Sequence, residues 1–489
     1  MGQYEVPGSA SDRDAGATRG NGSAARLAAA VAIAVASAPA VQAQDGEVLV
    51  RQYDNGGVYE GTFRDGRQHG QGTYRLPNGF EYTGEWVDGE ITGQGVARYP
   101  NGSVYEGSFL RGKPHGTGLI TFSDGGTYQG DWVDGAMTGE GVVRYANGVI
   151  YRGQFRDGRH HGTGVMESPG GYRYEGDWVD GAKQGQATVT YADGAVYRGG
   201  IEDGERSGQG TITLSDGTEY EGTWLAGQMH GEGRLTRIDG DIFEGSFVNG
   251  ERHGRGVMTY ADGSRYEGEF ENDARHGTGR FEGASGFVYE GSWVAGRIEG
   301  LGVAVYADGS RYEGQFRDGV ADGTGRIVYA DGSSYEGGWS GGVIEGEGIA
   351  RYANGVIYEG GFRNGQNHGF GVMTFPDGYR YEGEWVAGQR HGQGEATYPD
   401  GSVYRGEFAS GERHGQGTLE MPDGFRYEGA WERGAITGEG VATYANGDVY
   451  EGHFLDGRRH GQGVLRYAGG EVISGEWEGG TLSTPANAD

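Results

Sequence analysis

From Tyr381 to Gly394 the chain reads YEGEWVAGQRHGQG, and aromatic or small positions alternate with charged ones along its first part. Tyr381, Gly383 and Trp385 take one parity, Glu382 and Glu384 the other. Alternation of period two predicts a β-strand with one aromatic and one acidic face. Gly388 then supplies a turn. Gly392, Gly394, Ala396 and Tyr398 share a parity in the next run, which predicts a second strand. Asp400-Gly401 closes it, because both residues tolerate positive φ in a tight turn. The unit is therefore two short antiparallel strands and two turns.

The same pattern recurs every 23 residues from Tyr59 through Tyr82, Tyr105 and onward to Tyr450, with Phe243 replacing Tyr once and Ile473 at the last step. A fixed period of this size predicts a repeat array in which each unit buries its faces only against its neighbours. Glycine inside a strand normally weakens it. Here Gly383, Gly392 and Gly394 share the face of Tyr381 and Trp385, which predicts rings lying flat over gaps left by the missing Cβ atoms. Offset ring contacts add about 0.5–1.5 kcal/mol each beyond area burial.

The run Tyr-Glu-Gly-x-Trp, the following Gly, His-Gly-x-Gly and Asp-Gly at this step resembles the MORN (membrane occupation and recognition nexus) repeat family. The resemblance covers roughly Tyr53 to Trp477. It implies an all-β fold: an elongated single-layer antiparallel sheet of tandem 23-residue β-hairpins, solenoid-like, with an aromatic-lined groove. It also implies work in scaffolding, self-association or lipid binding.

A second order overlies the first. The fifth residue of each unit alternates between Phe and Trp, from Phe63 and Trp86 to Phe454 and Trp477, with Ile201 at one Phe position. Phe-type units carry a large residue on their second strand, such as Ile120, Met166 and Leu465. Several Trp-type units carry alanine there, such as Ala97, Ala304 and Ala396. Within a unit this reads as volume compensation at crystal-like density. The alternation breaks once, where Phe247 is followed by Phe270. Asp273 there replaces the turn glycine, and Gly283-Ala284-Ser285-Gly286 replaces the usual turn. The sequence thus divides into array 1 at 59–265 and array 2 at 266–480, with a joint near 272–286. Residues 44–58 are a lead-in with a capping strand, and 481–489 a polar, frayed tail.

Composition narrows the partners. The net charge is −30, which disfavours nucleic acid and anionic lipid, both of which want basic patches. Gly reaches 107 residues and Cys is 0, so disulfides are excluded whatever the compartment. Arg26, the apolar run Leu27–Ala40 and Val41-Gln42-Ala43 read as a secretory signal peptide over residues 1–43, cleaved after Ala43 or retained as an anchor. The expected location is periplasmic or secreted.

Candidate chemistry is sparse. Ten histidines, among them His69, His115 and His391, recur at one repeat position. Equivalent positions lie about 10 Å apart, too far to converge on one ion, so a bond to the local turn is the expected role. The pairs Glu382/Glu384 and Glu267/Glu269 recur too regularly for a catalytic dyad, which needs one unusual environment. No catalytic residues, metal ligands or cofactor are expected, and the chain reads as a non-enzyme. The aromatic face has no second layer to cover it, so it is the candidate partner surface: Tyr82, Trp86, Tyr105, Trp132, Tyr174, Trp178, Trp224, Tyr289, Trp293, Tyr335, Trp339, Tyr381, Trp385 and Trp431. The expected function is an exported scaffold binding a protein partner or itself through that groove or the sheet edges. The alternative is a surface module for polysaccharide or phospholipid.

Overall fold

The computed structural model describes residues 46–485. The expected signal peptide, 1–43, lies outside the described residues, as do residues 486–489. The chain forms two compact units divided between Ala261 and Asp262. Among the described residues all regular structure is strand. Unit 1 runs from β1 (Val48–Gln52) to β19 (Glu251–Thr259), and unit 2 from β20 (Arg265–Glu271) to β39 (Thr481–Pro485). Within each unit consecutive strands pair antiparallel in one sheet.

The unit formed by β2 (Val58–Arg64) and β3 (Arg67–Arg75) shows how the sequence dictates this. Asp65 and Gly66 link the strands with φ of 50° and 70°, the two positive angles that a twist-matched hairpin turn requires. The next turn closes when Asn78 Oδ1 accepts from Phe80 N at 3.0 Å, a turn chemistry specific to Asn and Asp. Between the turns the pairing carries a bulge. Gly61 faces Gly72, but Phe63 faces Gln68, so the ladder is interrupted around Thr62. There the Tyr59 hydroxyl donates to the Thr62 carbonyl at 3.0 Å. The same i to i+3 bond recurs from Tyr82 to Glu85, Tyr220 to Thr223, Tyr266 to Glu269 and Tyr381 to Glu384.

To reach that carbonyl the tyrosine ring must lie on the sheet. A Cβ on Gly72 would sit 2.4 Å from the Tyr59 ring, and one on Gly61 would sit 2.5 Å from the Gly72 Cα. Both positions exclude any side chain, which is why the predicted gaps at Gly383 and Gly394 hold glycine; Gly392 is not under a ring, but takes a φ of 59° beside the Glu384 carboxylate. The Trp or Phe of each unit then folds edge-on against these rings. Trp86 meets Tyr59 at 5.1 Å and Tyr82 at 5.7 Å between centroids, and its indole N–H donates to the Gly72 carbonyl at 3.3 Å.

Two expectations need correction. Bulk is not compensated within a unit, because the tryptophan leans back over the preceding one. Trp86 packs on Tyr74 and Trp293 on Phe281, so large residues meet large residues at alternate junctions. The chain end is also not frayed throughout. Gly479 and Gly480 take φ of 55° and 99° and turn the chain, β39 pairs with the preceding strand Val472–Glu478, and Leu482 comes opposite Trp477. Around the unusual residues 272–286, pairing inside unit 2 is continuous: Phe281 faces Tyr266 on one side and Tyr289 on the other. Asn272 and Asp273 both hold positive φ at that turn.

Removing one hydroxyl tests the tyrosine bond. Tyr381→Phe is expected to lower stability by about 1 kcal/mol, the usual worth of one internal hydrogen bond. Phe243→Tyr adds the missing hydroxyl opposite the Ser246 carbonyl and is expected to raise stability by a similar amount. Urea midpoints followed by tryptophan fluorescence measure both. An unchanged midpoint in each would mean that ring burial alone holds the unit.

Candidate partner surface

The aromatic rows are core rather than an open groove. Tyr82, Trp86, Tyr105, Trp132, Tyr174, Trp178, Trp224, Tyr289, Trp293, Tyr335, Tyr381, Trp385 and Trp431 are each 4% exposed or less. Trp339 is half-buried. The physical reason is that flat rings over glycine and edge-on rings beside them cover one another, so a single sheet buries its own apolar face. Burial pushes the tyrosine hydroxyls above their ordinary pKa, to about 12 for Tyr335, which keeps them protonated donors. These residues meet within and between adjacent hairpins, for example Tyr105 with Trp132 at 5.1 Å and Tyr381 with Trp385 at 5.2 Å.

The histidine position has a structural task reaching into the next hairpin. His69 Nδ1 accepts from Asp88 N at 3.5 Å and His161 from Asp180 N at 3.4 Å, each at the following turn. Where an acidic residue replaces histidine it makes the same bond: Glu299 accepts from Asp318 N at 3.0 Å, Asp322 from Gly341 N at 3.1 Å and Glu345 from Asn364 N at 2.9 Å. Among the described residues no three His, Cys, Asp or Glu side chains gather as a metal site would require.

The repeated carboxylates are also structural. Glu384 Oε1 accepts from Gln393 N at 3.1 Å and Asp177 Oδ2 from Gln186 N at 3.1 Å, each spanning the bulge. Glu382 pairs with Arg380 at 2.6 Å and Glu267 with Arg265 at 2.6 Å on the outer face. Such exposed pairs add little stability. A shallow open depression on this face in unit 1 is lined by Glu175, Gln186, Thr188, Arg198, Gln209 and Glu221.

One row, buried at Arg206 and half-buried at its other members, escaped the sequence reading. Arg206, Arg275, Arg413 and Arg459 lie over Trp224, Trp293, Trp431 and Trp477 at 4.2–4.4 Å from the ring centroid. Each also donates to the carbonyl of the next turn, as Arg413 does to Gly434 at 2.8 Å. A cation over tryptophan contributes about 2 kcal/mol when desolvated. The signal was present, since each arginine precedes its tryptophan by the same 18 residues. His160 fills this position in another unit. It stacks on Tyr151 at 3.7 Å, and Nε2 lies 3.1 Å from the Tyr145 hydroxyl. Burial pushes its pKa down to about 4.

With this geometry in place, comparison with known proteins decides the family. The MORN repeat model matches 18 consecutive segments, from 59–80 to 450–472. The chain belongs to the MORN repeat family. A curated relative, Alsin of Rattus norvegicus, is 44% identical over 52 residues, which span 10% of this chain and 3% of that protein. Among solved structures, the SAS-4 TCP domain with a proline-rich motif of Ana2 from Drosophila melanogaster is 14% identical. It covers 31% of this chain and 85% of its own, with a TM-score of 0.21. A streptogramin B lyase is 14% identical over 61% of this chain and 92% of its own, with a TM-score of 0.11. Likenesses this weak carry no argument about this MORN protein.

Two substitutions follow from these contacts. His115→Glu is expected to leave stability unchanged, while His115→Ala loses about 1 kcal/mol, because the Asp134 N–H then has no acceptor. Chemical denaturation of both variants distinguishes this from a role in metal binding. His160 has a folded pKa below its unfolded value, so its contribution is complete above about pH 6.5 and is lost as pH falls toward 4. His160→Met, which copies Met137 one unit earlier, is expected to flatten the fall of the thermal midpoint between pH 7 and pH 4.5. An equally steep fall in the variant would place the acid sensitivity elsewhere.

Proposed function

We propose that this MORN protein is an exported, non-enzymatic scaffold that holds a protein partner or further copies of itself. The observation that carries this reading is the unbroken register within each unit. Identical hairpins present the same outer-face side chains at a constant step, while the chemistry-bearing residues are engaged in turns, bulges and ion pairs. Repeated equivalent sites suit a partner that is itself extended or repeated.

The contact regions are the outer face, the turn rims and the sheet edges. The β1 edge supports self-association: Val48 and Val50 are 63% and 70% exposed, and the strand contains neither proline nor an acidic residue to blunt it. Export rests on the Leu27–Ala43 segment. The surface-ligand alternative loses most of its support, because thirteen of the fourteen candidate rings are exposed by 4% or less and offer no face to a sugar. Phospholipid is disfavoured by the charge of −30.

An affinity pull-down tests the proposal. The full chain is immobilised and exposed to a detergent-solubilised envelope extract, and bound protein, lipid and glycan are analysed together. The expected result is one protein, or the chain itself, retained at near-stoichiometric yield. Retention of glycan or lipid without protein would overturn the scaffold reading in favour of the surface-ligand one.

A further inference from the structure

Several rings at the rim of the aromatic face are paired. Tyr99 packs on Phe80, Tyr191 on Tyr172, Tyr398 on Tyr379 and Tyr444 on Phe425, at 5.4–6.1 Å in each case. In each pair an aromatic residue at the start of the unit covers one at its end. Unit 2 departs from this at two successive hairpins: Tyr306 still packs on Phe287 at 5.7 Å, but Tyr329 and Tyr352 have no such cover among the described residues. Tyr306, Tyr329 and Tyr352 are 37%, 37% and 42% exposed. The covering positions for the second and third are Ser310 and Ser333. Among the described residues no other three successive units expose this rim ring to that extent.

The result is a row of slots. Ser310 immediately precedes the strand Arg311–Arg317, which lies between the strands followed by Tyr306 and Tyr329, and Ser333 immediately precedes Ser334–Ser340, between those followed by Tyr329 and Tyr352. Each serine is a small floor between two rings. Ser310 is buried at 3% exposure. The rings, and so the slots, repeat every two strands, about 9.6 Å. A polyproline II helix repeats every three residues at about 3.1 Å each, or about 9.3 Å. The two repeats are commensurate to within about 0.3 Å per step. Prolines at i and i+3 of one extended peptide therefore fall into neighbouring slots.

Two further features complement such a peptide. The three tyrosine hydroxyls have no protein partner among the described residues, and a polyproline II backbone leaves its carbonyls free to accept. Each slot also carries a carboxylate on its rim: Asp308 accepts from Ser310 N at 2.8 Å and Asp331 from Ser333 N at 2.9 Å. Both aspartates are exposed and suit a cation between the prolines.

We propose that the Tyr306–Tyr329–Tyr352 strip binds a basic, proline-rich peptide segment in polyproline II conformation, with prolines three residues apart seated over Ser310 and Ser333. This rests on the scaffold reading and specifies the chemistry of one partner. Prolines stack on the ring faces, tyrosine hydroxyls donate to peptide carbonyls, and Asp308 and Asp331 select Arg or Lys between the prolines.

Isothermal titration of the full chain with a nonapeptide of three Pro-Pro-Arg triplets tests it. The control peptide has the same charge, with each proline replaced by glycine. The expected result is saturable binding of the proline peptide and at least tenfold weaker binding of the control. Ser333→Phe fills one slot as Phe287 and Phe425 do in other units, and is expected to weaken binding at least tenfold without shifting the urea midpoint. Tyr329→Ala gives the same loss by removing a wall, and Tyr145→Ala in unit 1 leaves binding intact.

No heat at millimolar peptide, or equal binding of both peptides, overturns the proposal. So does binding of a soluble glucan oligosaccharide, in place of the peptide, that Ser333→Phe abolishes. If Ser333→Phe still retains the partner found by pull-down, the scaffold reading stands and the strip is not its contact. If no protein is retained by either form, the scaffold reading fails on its own evidence.

Discussion

The tyrosine that lies down on its own glycines is the contact on which the rest depends. Its hydroxyl bonds a carbonyl three residues on, at the point where the ladder is interrupted by the bulge. The bond holds the ring flat, and the flat ring forbids a Cβ on both strands beneath it, as it does under Phe243, which has no hydroxyl. The bulge, the glycines and the aromatic are one constraint seen from three sides. Change any of them and the others lose their reason: without the bulge the carbonyl is in the ladder, without glycine the ring stands up, and without the ring a bare sheet meets water.

The same constraint explains how one layer of sheet exists without a second layer over it. A β-sheet normally buries one face against another element. Here the rings are that element. Flat tyrosines cover the glycines, Trp or Phe packs edge-on between them, and arginine or an aliphatic residue closes the side near the hairpin turn. The cover is supplied locally by each unit and its neighbour, so stability accrues unit by unit rather than from a central core. The arginines over tryptophan show the same economy of space, since one guanidinium shields an indole and bonds the next turn.

Much of this was legible in the sequence because the repeat repeats its physics. The 23-residue step, the two strands, the turn residues and the glycine gaps under rings were all readable. Exposure was not. Nothing in the alternation of Tyr381, Gly383 and Trp385 says whether those rings stand open as a groove or close over one another. That depends on ring tilt across a bulge that the strand pattern cannot reveal, and Phe243 lies flat on Gly256 even without a hydroxyl. The histidine position shows a similar limit. Glu299 and Asp322 stand where other units have histidine, yet they make the same bond to the following turn, because a carboxylate accepts there as well as an imidazole. The arginine row and β39 were missed for another reason. Both rest on contacts that run from one unit to the next, which the step within one unit does not display.

That distinction bears on how such a chain carries function. Residues that repeat at every unit are held by the folding constraint and are poor candidates for a specific partner. The informative positions are those where the constraint leaves a choice and the chain uses it unevenly. The rim position before each ring is one of these: Phe, Tyr, Val, Ala, Gly and Ser all occupy it, and the sheet pairs the same way regardless. When a run of small residues falls there, the neighbouring rings are uncovered at a spacing fixed by the backbone. The architecture sets the period, and the variable position sets where along the chain that period is open to a partner. Specificity in a repeat sheet of this kind resides in the departures from the repeat, not in the residues that define it.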